Sequence, residues 1–387
     1  GLIIVRVVCI SSSINHHTVS IYDEFYSIFK QDFVFIETGK KKNKDYKGGN
    51  PRDFINLPYW KDGFSNKKNI KEAKNLCFEA DVVIQFSAPD KFIIKRLIKN
   101  RLTFRVSERF CTGTRKDYLR LIKYFLRYNL LPHKNLFLLS ASAYAAKDMW
   151  RSFSFRNKCY KWGYFPKIFV SNTELTYSKK LKILWAGRFV KLKHPEVCIE
   201  IAKYLINNNI DFNLTMVGDG LLLSEIKSQV SDNNLDAYFT FRGNITNKEV
   251  QLHMKEADIF VFSSDRNEGW GAVLNEAMGN GCIPIASNEA GSVPYLIKNG
   301  YNGFVYKSGE NKNLMSVLDK IIELDSEQLN VLKGNAEETI FGEWSAKSAV
   351  SNLIDLINSL ESQKNVIPSL TGPASEALVL SEKDFLK

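Results

Sequence analysis

The sequence predicts two doubly wound α/β domains, each a parallel sheet wrapped by helices, facing each other across a cleft. Three observations carry this expectation. The chain has 387 residues, and single hydrophobic cores seldom grow past about 250 residues. Short apolar runs alternate with helical spacing, the rhythm of a parallel sheet. Finally, "EADVVIQFSAPD" (79–90) is echoed by "EADIFVFSSDRN" (256–267). Each reads as a helix end, an apolar strand and a Ser loop, as two related domains in one chain would.

The opening "GLIIVRVVCI" reads as a buried first strand. Arg6 interrupts it, no small-residue cleavage site follows, and its β-branched content suits a strand better than a signal peptide. The chain begins without Met, which leaves room for a native leader. "FVFIET", "ADVVIQFSAP", "LTFRVSE" and "NLFLLSAS" are the next strand candidates, and the domains are expected to meet near 165–180, around "YFPKIFVSNTELTYSKK". Beyond it "KILWAG", "FNLTMVGDG", "YFTFRGN", "ADIFVFSS" and "CIPIAS" read as strands, with helices in "HPEVCIEIAKYLINNN" and "LLLSEIKSQVSD". Each strand ends in a Gly, Ser or Asp loop, and in open α/β sheets ligands bind at those loops. The last stretch, "ESQKNVIPSLTGPASEALVLSEKDFLK", has little periodicity and is expected to be a loosely attached tail.

Hydrophobic residues make up 44% and charged residues 25%, and no apolar run approaches the roughly 18 residues of a membrane-spanning helix. Cys9, Cys77, Cys111, Cys159, Cys198 and Cys282 show no paired spacing, which argues against a disulfide framework or zinc site and for a reducing, cytoplasmic setting. The net charge of +11 is uneven: residues 1–170 hold 32 Lys+Arg against 14 Asp+Glu, and residues 171–387 hold 21 against 28. The basic half is expected to face an anionic partner, either a membrane leaflet or a phosphate-bearing substrate, and no nucleic-acid motif accompanies it.

The densest chemistry lies in "NEGWGAVLNEAMGNGCIPIAS" (267–287). Gly269 and Gly271 let backbone come close to a ligand where a Cβ would intrude. A helix expected to start near Ala272 would add unpaired N–H groups and the positive end of its dipole. Glu268 in the loop and Glu276 about a turn into the helix can each grip adjacent hydroxyls. Arg188 and Lys193 share the loop of "AGRFVKLKHPEVCIEIA" and are suited to neutralise a diphosphate. "VGDG" places Gly218 at a strand end.

"AGRF…K", "MVGDG", "FRGNITNKEV", "ADIFVFSS…NEGWGAVLNEAMGNGCIPIASNEAGSVPYLI" and "NGYNGFVY", in this order and spacing, resemble the donor-binding domain of retaining glycosyltransferases of family 4, which have the GT-B fold. The resemblance covers about residues 180–345. It implies an acceptor-binding Rossmann-like domain at 1–170, a nucleotide-sugar donor-binding Rossmann-like domain at 171–345, and a C-terminal helix and tail at 346–387. By this likeness Arg188 and Lys193 would hold the donor diphosphate, and Glu268 with the amides of Gly269, Trp270 and Gly271 would hold the sugar. Glu276 would take the ribose hydroxyls, and Arg242 to Ile245 would lie beside the base. The glutamates are then hydroxyl grips and not an acid/base pair.

Two departures stand out. Family members commonly follow the Lys with Gly, where this chain has "KHP" (193–195), and the usual Gly-rich N-terminal loop is replaced by "SSSINHHTVSIYDEF" (11–25). Asn15, His16 and His17 are candidate side-chain donors to the diphosphate or acceptor, and Glu108 and Arg109 follow a strand where relatives often place a sugar-contacting His.

No Asp-x-Asp pair occurs in the chain. The expected reaction is therefore a metal-independent, cofactor-free transfer from a UDP- or GDP-sugar to a glycan or lipid-diphosphate-linked acceptor. Cations and helix N-termini would stabilise the departing diphosphate. Its expected setting is assembly of a surface polysaccharide at the inner face of the membrane. Two rivals are a nucleotide-sugar 2-epimerase, which would yield an epimer without acceptor, and a catalytically silent binding subunit.

Overall fold

Among the described residues seven strands form one parallel sheet and six another, and each sheet belongs to its own unit. The computed structural model describes residues 6–39, 54–130, 133–169, 180–361 and 368–385. The first unit comprises Gly1–Lys167 with Glu343–Ser381, and the second Ile168–Gly342 with Glu382–Lys387. The expected junction around 165–180 lies partly outside the described residues, as does the start of "GLIIVRVVCI".

The first sheet is built from β1 (Val7–Ser11), β2 (Phe33–Glu37), β3 (Trp60–Asp62), β4 (Val82–Gln85), β5 (Thr103–Ser107), β6 (Leu136–Ser140) and β7 (Cys159–Lys161). The second contains β8 (Leu181–Ala186), β9 (Phe212–Val217), β10 (Phe239–Gly243), β11 (Ile259–Phe262), β12 (Ile283–Ser287) and β13 (Phe304–Tyr306). Their orders are β3-β2-β1-β4-β5-β6-β7 and β10-β9-β8-β11-β12-β13. Both start from the third strand of the unit, run back to the first and jump to the fourth, the doubly wound order with its topological switch beside the first strand. The two doubly wound α/β units predicted from the sequence are the ones found.

The strands are apolar runs because helices cover both faces of each sheet, so no polar alternation is imposed. In β1, β4, β6, β11 and β12 every residue is buried. Ile183, Trp185, Leu214, Met216, Val261 and Ile285 build the core of the second unit with the helix Val197–Asn207. Val8, Ile10, Ile36 and Val83 do the same in the first. The two echoing segments supply β4 and β11, and these occupy corresponding places: β4 pairs with β1 (Val7 beside Val82) and β11 with β8 (Ile183 beside Ile259). All six cysteines are buried free thiols. Among the described residues no helix is long and apolar enough to cross a membrane.

The C-terminal stretch is not the loosely attached tail its composition suggests. The helix Ala346–Glu361 packs on Val19–Phe29 in the first unit. Residues 372–377 then run antiparallel to β7: the Ala374 N–H donates to Lys161 O at 2.7 Å, Lys161 N–H to Ser375 O at 2.7 Å, and Ala377 N–H to Cys159 O at 2.9 Å. Ala374, Ser375 and Ala377 are buried. Small residues let this segment lie close along an edge strand, an attachment set by backbone pairing that leaves no trace in hydropathy.

Candidate functional site

In the second unit the switch point separates β8 from β11 and the loops leaving those strands. The loop after β8 carries Gly187, Arg188 and a short turn, Lys191–Lys193. The loop after β11 carries Ser263, Ser264, Asp265 and Glu268. Hydrogen bonds lace the two loops together. The Asp265 N–H donates to Leu192 O at 2.9 Å, and the Ser263 hydroxyl, itself receiving the Trp185 indole N–H at 3.1 Å, donates to Lys193 O at 2.6 Å.

This lacing brings two of the predicted residues into contact. Lys193 Nζ forms an ion pair with Glu268 Oε2, both side chains being largely buried, and the Ser264 hydroxyl donates to the same carboxylate at 3.2 Å. Lys193 also lies 5.8 Å from the centre of the Phe262 ring. Arg188 is exposed on the same loop, and no side-chain partner engages it among the described residues.

His194 stands where the resembled family commonly has glycine, and its backbone is left-handed (φ 45°, ψ 56°). A glycine would adopt this conformation freely, whereas a residue with a Cβ needs compensating contacts. His194 has them: Nδ1 lies 2.7 Å from Glu196 Oε1 and Nε2 3.2 Å from Asp265 Oδ2. These carboxylates, Glu196 foremost, outweigh burial and push the imidazole up to about 9. At neutral pH both ring nitrogens therefore donate, and the imidazolium ties the Lys193 loop to the Glu268 loop.

Gly269 and Gly271 follow Glu268, and no backbone acceptor among the described residues takes their N–H groups. Gly271 has φ +86°, and a Cβ there would sit 2.4 Å from Phe262 Cζ. Trp270 is buried; its indole donates to Asn275 Oδ1 at 2.9 Å and its carbonyl accepts the Ser292 hydroxyl at 2.6 Å. These contacts fix the turn that presents the glycine amides at the start of the helix Val273–Gly279.

Glu276 lies inside that helix and is buried, accepting one hydrogen bond from Asn247 Nδ2 at 2.8 Å. Desolvation pushes its carboxyl up to about 7, against the lowering effect of Asn247. Gly218 approaches the same region from β9: its N–H donates to Gly243 O at 2.8 Å, next to Arg242, which is exposed. Ile245 is half-buried in the turn that follows β10. The candidates in the second unit thus gather at the C-terminal ends of four neighbouring parallel strands, β8 to β11.

The candidates of the first unit sit on loops of its own sheet. Asn15 closes the turn after β1, its Oδ1 accepting His17 N–H at 3.0 Å. The His16 and His17 rings lie 3.8 Å apart, and His17 O accepts Phe165 N–H at 3.3 Å. Past β5, Glu108 accepts the Tyr164 hydroxyl at 2.6 Å. Arg109 Nε donates to Cys111 O at 3.2 Å, with its guanidinium 4.8 Å from the Tyr144 ring centre. Sequence reasoning did not find Ser264, Asp265, His194 or Asn247; the contacts of the last three reach far along the chain. The nearest signal is Ser264 standing four residues before Glu268.

Residues 168–339 match the family described as Glycosyl transferases group 1. This segment is similar to that family. Among curated proteins, the amylovoran biosynthesis glycosyltransferase AmsK of Erwinia amylovora is 26% identical over 185 residues, 46% of this chain and 45% of that protein. The UDP-Gal:alpha-D-GlcNAc-diphosphoundecaprenol alpha-1,3-galactosyltransferase of Escherichia coli is 29% identical over 173 residues, covering 44% and 43%. The chain thus spans under half the length of these relatives. Solved structures match its fold nearly throughout. The UDP complex of Anabaena Alr3699/HepE has a TM-score of 0.68 at 14% identity, over 92% of this chain and 100% of that one. A glycosyltransferase from Rickettsia africae ESF-5 has a TM-score of 0.69 at 15% identity, over 93% and 99%.

The raised pKa of Glu276 has a consequence for ligand binding. Were Glu276 to take the ribose hydroxyls of a nucleoside diphosphate sugar, as the resemblance implies, they would favour its ionised form, and binding would tighten as pH rises through about 7, since the ligand's phosphodiester groups do not titrate near neutrality. The expected gain is about three- to tenfold between roughly pH 6 and 8. Glu276→Gln should remove the pH dependence, which isothermal titration at the two pH values would read; an unchanged slope would remove Glu276 from the ribose site.

Proposed function

We propose that this chain is a retaining glycosyltransferase that moves a sugar from a UDP- or GDP-sugar to a glycan or lipid-diphosphate-linked acceptor, without a metal, in the assembly of a surface polysaccharide. The observation that carries the reading is the ion pair of Lys193 with Glu268, on the two loops that flank the switch point, with the exposed Arg188 on the same loop as Lys193.

The chemistry follows from these groups. Transfer leaves charge on the departing nucleoside diphosphate, and a cation already in place stabilises it without reorganisation. Lys193 and Arg188 would do this, with Lys193 exchanging its carboxylate partner for a phosphate oxygen when donor arrives. Glu268, released from Lys193, would then accept sugar hydroxyls, with the Gly269 and Gly271 amides available to the same ring. The acceptor oxygen would attack from the face the diphosphate leaves, and the leaving phosphate would take its proton, so no protein nucleophile is needed. Asn15, His16, His17, Glu108 and Arg109 would serve the acceptor or the diphosphate. The names of two relatives, one in amylovoran biosynthesis and one a galactosyltransferase using a diphosphoundecaprenol-linked acceptor, support the acceptor class.

A panel of UDP- and GDP-sugars scored by thermal shift tests the donor reading, because a ligand of the folded state alone raises apparent stability. With the donor found, transfer should survive EDTA at undiminished rate. A strict requirement for Mn²⁺ or Mg²⁺ would overturn the metal-independent mechanism, and a shift by no nucleotide sugar would overturn the donor assignment.

A further inference from the structure

The helix Asp117–Asn129 of the first unit is inside out. Asp117, Tyr124, Arg127 and Tyr128 face the protein. Asp117 is buried and accepts the N–H groups of Thr112 and Gly113 at 3.2 and 2.8 Å and the Arg120 guanidinium at 2.9 Å. Arg127 Nε donates to Asp90 at 2.6 Å, Tyr124 stacks on Phe110 at 3.9 Å, and Tyr128 is buried against Phe155. The apolar side chains face outward. Tyr118, Leu119, Ile122, Phe125 and Leu126 fall on one stripe at helical spacing and are 42–61% exposed. A surface helix normally turns its apolar stripe to the core.

The stripe continues beyond its helix. Phe125 meets Phe153 edge-on at 6.3 Å, and Phe153 and Trp150 are exposed as well. Cations flank these groups: Arg115, Lys116 and Lys123 are exposed, and the Arg156 guanidinium lies 4.5 and 5.2 Å from the Phe153 and Trp150 ring centres. Residues 91–170 hold 19 Lys+Arg against Glu108, Asp117 and Asp148 alone, and the last two are buried.

We infer that this face docks on a membrane leaflet rich in anionic headgroups, with Asp117–Asn129 lying in the interface. A helix of this length, about 20 Å, with an apolar face flanked by cations, has the form of an interfacial helix. Charge complementarity selects the occupant: two copies set face to face would bring Arg115, Lys116 and Lys123 against their own kind, whereas anionic headgroups neutralise them. The inference rests on the proposed lipid-linked acceptor for its purpose, but its evidence lies in the first unit alone.

The test uses the full chain with no donor or acceptor, so its outcome is independent of transfer. In flotation assays the protein should bind vesicles of phosphatidylcholine with about one-third phosphatidylglycerol, bind phosphatidylcholine alone far more weakly, and come off as salt rises. Ile122→Ser with Phe125→Ser should lower partitioning at least about tenfold while the protein still melts cooperatively with only a small drop in melting temperature, because both side chains are about half exposed. Lys116→Glu with Lys123→Glu should abolish the preference for anionic vesicles. Absence of wild-type binding to anionic vesicles, or wild-type partitioning by both double variants, would overturn the inference. So would a wild-type dimer in sedimentation equilibrium that becomes monomeric in the Ile122→Ser, Phe125→Ser variant, because it would make the stripe a protein interface.

Discussion

Alanine at Lys193 or at Glu268 is expected to cut kcat/KM for glycosyl transfer on the order of 100- to 1000-fold, the scale of removing one preorganised charge from a transition state. The two variants should fail differently. Lys193→Ala should lose affinity for the bare nucleoside diphosphate, whereas Glu268→Ala should bind it nearly as the wild type does and lose the increment that the sugar adds. Calorimetry with diphosphate and with sugar donor separates these outcomes. Because the pair is largely buried, each single variant leaves a poorly solvated charge and should lose about 1–3 kcal/mol of stability, with the double variant losing less than the sum. Circular dichroism melts provide that control, and full transfer activity in Glu268→Ala would sink the assignment.

Gly218→Ala is expected to unfold much of the second unit or destabilise it by more than about 3 kcal/mol. Two effects coincide. The residue has φ +128°, and an added Cβ would lie 1.9 Å from the carbonyl oxygen of Gly187. Neither backbone can easily retreat, since Gly187 N–H is held by Val217 O at 3.0 Å and Gly218 N–H by Gly243 O at 2.8 Å. Whatever does fold should lose donor binding, because Gly187 opens the loop of Arg188 and Lys193. Gly300→Ala is the control: it too has positive φ (+78°), but nothing lies within 4 Å of its Cβ. Its cost should stay near 1 kcal/mol. Similar melting temperatures for the two variants would refute the steric account.

What the sequence conveyed divides by distance along the chain. Strands read as apolar runs because helices cover both faces, and the echo of 79–90 in 256–267 placed β4 and β11 correctly as counterparts. The three-residue strands Trp60–Asp62, Cys159–Lys161 and Phe304–Tyr306 are too short to carry a pattern and exist through their neighbours. Glu268 and Lys193 were legible as types of residue in suitable loops. Their contact was not, because 75 positions separate them and the hydrogen bonds of Ser263, Asp265 and His194 that register the loops are equally non-local. "DYLRLIKYFLRYN" shows helical period plainly, yet period alone does not say which stripe faces inward; there the buried pairing of Arg127 with Asp90 decides.

The attachment of Ala346–Glu361 and residues 372–377 to the first unit also bears on the order of events during synthesis. A ribosome releases β1 to β7 first, then the Ile168–Gly342 part of the second unit, and only afterwards the helix that covers Val19–Phe29 and the segment that pairs with β7. Domains made first usually fold first. Here the first-made sheet must wait, with an apolar helix face and an open strand edge, until residues 346–377 emerge, whereas the second unit can close around the core built by residues 181–332 while translation continues.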